Sequence, residues 1–183
     1  MTQRINNVSN PEGKAAELLD GVKAALGATP NMFTAFANAP SAMEGYLGLN
    51  GALQGGVLDA EFKEKIALTV AGINGCTYCA SAHTFLSEKA GVDSEEIALN
   101  LKGSSKDSKS QSGLDFVAKI VNNRGHVSQD AVDAVRSAGF SDEAVIEIVT
   151  HVALNTLTNY FNEVFQIDVD FPVVNVSGMS CAA

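Results

Sequence analysis

Apolar residues recur at helical spacing along almost the whole chain. Between Pro11 and Leu26 they fall at Ala15, Leu18, Leu19, Val22 and Leu26, which predicts a helix that Gly27 ends. Pro30 opens a short segment with Met32, Phe33, Phe36 and Ala37 on one side. Pro40 breaks it, and Ser41 is placed to cap a helix over 41–55 carrying Met43, Tyr46, Leu47, Leu49 and Leu53. Asp59 is a fitting N-cap for a strongly apolar helix from Phe62 to Ile73. The next helix opens at Cys76 and stops at Gly91, and Asp93 or Ser94 caps a short one through Leu101. The polar run KGSSKDSKSQS, 102–112, reads as a low-complexity loop. Further helices are expected at 113–123, 129–138 and 142–165, the last with Val152, Leu154, Leu157, Tyr160, Phe161 and Val164 in period. Only 167–176 approaches an alternating pattern, so the fold class is all-α. The organisation expected is a flexible N-terminus (1–10), one helical domain (11–167) and an extended C-terminal tail (168–183).

Composition narrows the function. A chain of 183 residues with 46% apolar content is long enough for one domain with a sizeable core. Twelve Lys and Arg against 21 Asp and Glu give a net charge of −9, which argues against a nucleic-acid surface. No apolar run is long enough to span a bilayer, and MTQRINNVSNPEGK lacks a secretory apolar stretch. The expectation is a soluble, cytoplasmic protein. Three cysteines, two of them close together, point to redox or metal chemistry rather than a secreted disulfide framework.

The chemistry gathers in Glu64–Gly91, EKIALTVAGINGCTYCASAHTFLSEKAG. Cys76 and Cys79 form a C-x-x-C pair, and His83 stands four residues after Cys79, on the same helical face. Asn74-Gly75 is a turn signal, so the pair opens a helix, where unpaired N–H groups and the helix dipole favour thiolate over thiol. Two intervening residues let the sulfurs close a disulfide across the first turn. The expected cycle is thiolate attack, a sulfenic acid or mixed disulfide, and resolution by the partner thiol.

Competing readings are weaker. A structural zinc site needs four ligands, and Cys181, His126 and His151 show no paired spacing to complete one. A haem attachment site needs His directly after the second Cys, where Ala80 stands. A thioredoxin fold puts a strand before the pair, where this chain reads as helix. His151 reads as a satisfied core histidine beside Asn155, His126 as exposed in a turn, and Cys181 as a free thiol in the tail. Asn155, Asn159 and Asn162 are more polar than a buried helix requires, and they either cap neighbouring helices or line a pocket. Glu64 sits in a charged cluster, which on its own is an ordinary solvated face.

The set Glu64, Cys76-x-x-Cys79-x-x-x-His83, on two consecutive helices, resembles the alkylhydroperoxidase D-like (AhpD-like) core of the carboxymuconolactone decarboxylase superfamily. LGATPNMFTAFANAP is similar to that family's leader helices, and HVALNTLTNYFNEVF to its C-terminal helix; the resemblance covers about residues 15–167. It implies a helical bundle with the CxxC at the N-terminus of a central helix, assembled as a homo-oligomer, a trimer or hexamer. It implies reduction of a small-molecule hydroperoxide with no metal or organic cofactor. Cys79 takes the peroxidatic role, Cys76 the resolving and proton-donating role, and His83 with Glu64 the proton relay. An external dithiol, a lipoyl domain or a thioredoxin-like protein, restores the pair. The chain departs from the family where a histidine precedes the second cysteine; here that residue is Tyr78. A dithiol–disulfide redox sensor or partner-binding protein, and a decarboxylase-type enzyme using His83 without sulfur chemistry, stay open as alternatives.

Overall fold

The computed structural model describes residues 2–176, and among them the only regular elements are helices. In chain order these are α1 (Gly13–Leu26), α2 (Asn31–Phe36), α3 (Pro40–Gln54), α4 (Ala60–Asn74), α5 (Thr77–Lys89), α6 (Ser94–Asn100), α7 (Ser108–Asn122), α8 (Gln129–Ser137) and α9 (Asp142–Phe165). The all-α expectation holds, and no helix of the described residues is long and apolar enough to cross a membrane.

The bundle is built round α4. Its residues from Lys65 to Gly72 are all buried, because α5, α6, α7 and α9 pack on it from different sides. Leu68 and Ala71 face a cluster that holds α1–α3 and both cysteines. Phe62, Ile66 and Val70 face the second cluster, with Leu114, Val117, Val135 and Ile148 from α7–α9. Gly72 marks the tightest approach, since a Cβ there would overlap the Leu101 carbonyl at the end of α6.

Local signals explain most boundaries. Asp59 caps α4 by accepting the Phe62 N–H at 2.7 Å, and Ser128 and Ser141 cap α8 and α9 in the same way. Two starts differ from expectation. Pro40, not Ser41, opens the third helix; its fixed φ suits the first turn, where its missing N–H has no partner to lose. Helix α7 begins at Ser108, inside the stretch expected to be loop, because Asp107 accepts the Ser110 N–H at 2.7 Å and nucleates it. On α9 the apolar period also misleads. Leu157, Tyr160 and Val164 are exposed, whereas Asn155, Asn159 and Asn162 are buried.

Buried charge holds the elements in register. The Lys65 ammonium lies 3.0 Å from Glu61 and 3.1 Å from Glu96. Glu96 also accepts from Ser105 Oγ at 2.5 Å, Lys106 N at 2.9 Å and Asn100 Nδ2 at 3.0 Å, so one carboxylate ties α4, α6 and the loop before α7 together. Glu147 of α9 accepts the N–H groups of Val57 and Leu58 at 2.7 and 3.0 Å, fixing the α3–α4 loop. The segment expected to be loose at the N-terminus carries Arg4 N–H to Phe165 O at 2.7 Å and Val8 N–H to Thr34 O at 3.0 Å.

Burial alone would raise the Glu96 carboxyl, but its hydrogen-bond donors, Ser105 first, outweigh burial and bring it from 4.5 to about 2. A carboxyl lowered by folding stabilises the native state above its ordinary pKa, and that contribution drains away as pH falls from 4.5 towards 2. Glu96→Ala, which leaves the buried Lys65 with the exposed Glu61 as its one carboxylate partner among the described residues, is expected to cost about 3 kcal/mol in urea unfolding at neutral pH. The deficit relative to wild type should shrink across that acid window.

Candidate active site at the α4–α5 elbow

The elbow is made by Gly75, whose left-handed backbone (φ 69°) ends α4. Cys76 N–H then bonds back to Ala71 O at 3.0 Å. Cys76 itself is extended and caps α5, its Sγ accepting the Cys79 N–H at 3.4 Å. The pair thus opens α5, as the sequence suggested, but deep inside the molecule: Cys76 is 0% and Cys79 3% exposed. Both thiols are free.

The two sulfurs are not equivalent. Cys79 lines a cavity of about 510 Å³, and Cys76 lies behind it, outside the cavity wall. Leu18 and Val22 of α1, Phe33, Tyr46, Leu47 and Phe171 give that cavity largely apolar walls. Glu64 and His83 supply its polar edge. The Cys76 thiol hydrogen-bonds to the Cys79 sulfur, and this bond lowers Cys79 from 9.0 to about 7 in spite of burial, with the positive charge of His83 and the amides of Asn162 and Asn159 adding to it. The same bond, with burial, raises Cys76 far above its ordinary value. The capping N–H pulls Cys76 the other way and is outweighed.

His83 Nδ1 lies 2.8 Å from Glu64 Oε2, with the two side chains 23% and 30% exposed. Burial works to lower the imidazole pKa; the Glu64 carboxylate and then Cys79 outweigh it, so His83 is raised above 6.5. The cavity wall therefore brings Glu64, Cys79 and His83 together, with Cys76 one step behind. Tyr46 also borders the cavity, its phenol raised to about 12 by burial and then by the charges of Cys79 and Glu64.

Tyr78 is a wall and an anchor. Its hydroxyl accepts the Met32 N–H at 3.1 Å and donates to Asp170 Oδ1 at 2.8 Å. Asp170 Oδ2 also accepts the Asn31 N–H at 2.8 Å. Phe171 stacks edge-on against Tyr78 at 5.7 Å, and Val174 N–H donates to Ser81 Oγ at 2.9 Å. Residues 168–174, expected only as an extended tail, thus lie along α5 and close one side of the cavity.

Sequence reasoning missed this strap and the sulfur contact from α9, where Asn162 Nδ2 donates to Cys79 Sγ at 3.2 Å. The available signal was three asparagines at 155, 159 and 162 on one face of an otherwise apolar helix. His151 corrects another expectation. It is buried, but its Nε2 has no hydrogen-bond partner among the described residues, and Asn155 bonds to its backbone carbonyl rather than its ring. His126 is exposed in its turn, and Cys181 lies outside the described residues. Among the described residues no group of three or more His, Cys, Asp or Glu is placed to hold a metal.

Residues 40–105, which span α3 to α6 and contain the whole elbow, match the carboxymuconolactone decarboxylase family. Over this stretch, the elbow and the helices that flank it, the chain is similar to that family. No curated protein matches the chain. Among solved structures, an uncharacterized peroxidase-related protein from a Silicibacter species shares 21% identity over 91% of each chain, with a TM-score of 0.80. A second uncharacterized peroxidase-related protein, an alkylhydroperoxidase AhpD core from Ralstonia eutropha, is 23% identical over 90% of this chain and 92% of its own, with a TM-score of 0.75. The debrominase Bmp8, solved with 2,3,4-tribromopyrrole, is 19% identical over 91% of this chain and 94% of its own, with a TM-score of 0.73. At these identities the likeness is one of fold, and it covers at least 90% of the chain in each case.

Because the Glu64 carboxylate favours the charged imidazole, Glu64→Gln is expected to lower the His83 pKa in an NMR titration of the imidazole. An unmoved titration would mean that the 2.8 Å contact carries no charge in solution.

Proposed function

We propose that the chain is a thiol-dependent reductase of apolar organic hydroperoxides, working through Cys79 and Cys76. The observation that carries this reading is the asymmetry of the pair: the acidic Cys79 thiol faces an apolar cavity, and its hydrogen-bond donor Cys76 waits behind it.

The steps follow from those positions. The Cys79 thiolate attacks the terminal oxygen of ROOH, the O–O bond breaks, and the sulfur keeps OH as a sulfenic acid. The departing RO⁻ takes a proton from protonated His83, which Glu64 holds in place, and leaves as ROH. Cys76 then attacks the Cys79 sulfur; an S–S bond forms and water leaves with the Cys76 proton. The external dithiol, lipoyl or thioredoxin-like, reduces the disulfide and is itself oxidised to one. The family histidine replaced by Tyr78 is not needed in this sequence, since proton delivery falls to His83 and Tyr78 is engaged with Asp170. The exposed stripe of Leu157, Tyr160 and Val164 on α9, with Leu49 of α3 nearby, supports assembly as a homo-oligomer, a trimer or hexamer.

The aromatic walls favour one second reading. Phe33, Tyr46, Tyr78 and Phe171 also suit a planar halogenated ring, and a thiolate attacks a polarisable halogen as it attacks a peroxide oxygen. The debrominase neighbour shows that the fold accommodates such a ligand.

Stopped-flow mixing of reduced protein with cumene hydroperoxide, hydrogen peroxide or a bromopyrrole separates these readings. Wild type should consume cumene hydroperoxide at least about tenfold faster than hydrogen peroxide, since only the first fills the apolar cavity. Cys79→Ser should lose about a hundredfold or more, and Cys76→Ser should stop after one equivalent with a trapped sulfenic acid. Full activity in Cys79→Ser would refute the assignment, and bromide release without peroxide consumption would transfer it to the halide.

A further inference from the structure

Helix α9 carries two buried amides to the reacting sulfur. Asn162, 2% exposed, donates from Nδ2 to Cys79 Sγ at 3.2 Å, and the same nitrogen lies 3.5 Å from Met32 Sδ. Asn159, 1% exposed, stands one turn earlier on the same face. Its Oδ1 accepts from Asn74 Nδ2 at 3.0 Å, which turns its own Nδ2 the other way. That nitrogen has no hydrogen-bond partner among the described residues, although it lies near enough to Cys79 to lower its pKa.

A buried amide donor without an acceptor is costly, and so is a buried anion without donors. The two deficits lie side by side here. We propose that Asn162 and Asn159 form an amide cradle for the charged sulfur of Cys79, with Asn162 a catalytic residue in direct contact and Asn159 completing its coordination when the thiolate forms. The proposal rests on Cys79 being the nucleophile, as argued above.

The cradle explains why α9 spends two of its buried positions, 159 and 162, on asparagine while leaving Leu157, Tyr160 and Val164 outside. It also divides the work round one atom. Cys76 gives its hydrogen bond and must later withdraw it to attack the sulfur; the amides are fixed donors that stay. The amides thus stay on Cys79 as it passes from thiolate to sulfenic acid, while Cys76 changes from hydrogen-bond donor to attacking thiol. Asn74 sets the orientation of Asn159 from the last turn of α4, so the helix that carries Glu64 also orients the cradle.

The test reads the acidity of Cys79 without any peroxide, so it is independent of the substrate. Full-length reduced protein is pulsed with iodoacetamide across pH 5–10, and labelling at Cys79 is followed by peptide mass spectrometry. Wild type should show a midpoint near 7. Asn162→Ala should move it up by about one pH unit, which at pH 7 lowers the thiolate fraction about fivefold. Asn162→Asp, nearly isosteric, should move it further, because a carboxylate would replace the donor. Asn159→Ala should move it by less. Asn155→Ala, equally buried on α9 but bonded to the His151 carbonyl, should leave it in place and so controls for loosened packing. Midpoints unchanged in both Asn162 variants, or shifted as far by Asn155→Ala, would overturn the cradle. If the Asn162 variants shift the midpoint and wild type still consumes no peroxide, the cradle stands and the peroxidase reading falls.

Discussion

The pairing of two buried sulfurs at the start of α5 is the interaction on which the rest of this structure depends. It requires Cys76 and Cys79 to be dry, close and unequal, and each neighbouring element serves one of those conditions. Gly75 ends α4 in the left-handed conformation so that Cys76 can cap α5 and point back at Cys79. A thiolate at Cys79 then needs donors that the apolar surroundings do not offer, and α9 supplies them as amides. The charged pair of Glu64 and His83 lies at the cavity edge, where each keeps some contact with water.

The same burial creates the pocket. Tyr78 keeps its proton at neutral pH, because burial raises its phenol and its hydroxyl is engaged between the Met32 N–H and the Asp170 carboxylate, so it does not serve as a base. What it does is pin the 168–174 segment onto α5, and Phe171 then completes an apolar wall. Where the resemblance leads one to expect a titratable histidine, this chain thus carries a structural residue. The result is a largely apolar approach to Cys79, the feature on which the proposed preference for a bulky organic substrate rests.

How far the sequence foretold this differs from element to element. Helices bounded by strong signals, such as α4 between Asp59 and Gly75, were legible because cap chemistry and apolar period agree there. Helix α7 was misplaced because its first turns face solvent, and Ser and Lys in that position look the same as in a loop. The candidate set on α5 was legible because it is local: Cys76, Cys79 and His83 are joined by helical spacing, whereas Glu64 of α4 was singled out only by the family resemblance. Asn162 and Asp170 were not, because each reaches the site across more than eighty residues of chain. No local rule distinguishes an asparagine aimed at a sulfur from one that caps a neighbour. The inverted face of α9 has the same origin, since its period is correct and only the packed neighbours decide which side is wet.

The most direct measurement is a brief labelling of the reduced protein at pH 7 with limiting iodoacetamide, followed by mapping of the two cysteines. The thiolate assignment requires Cys79 to be alkylated first, with Cys76 protected until the protein is unfolded. Preferential labelling of Cys76, or equal labelling of both, would contradict the account at its root, because the proton would then lie on the wrong sulfur.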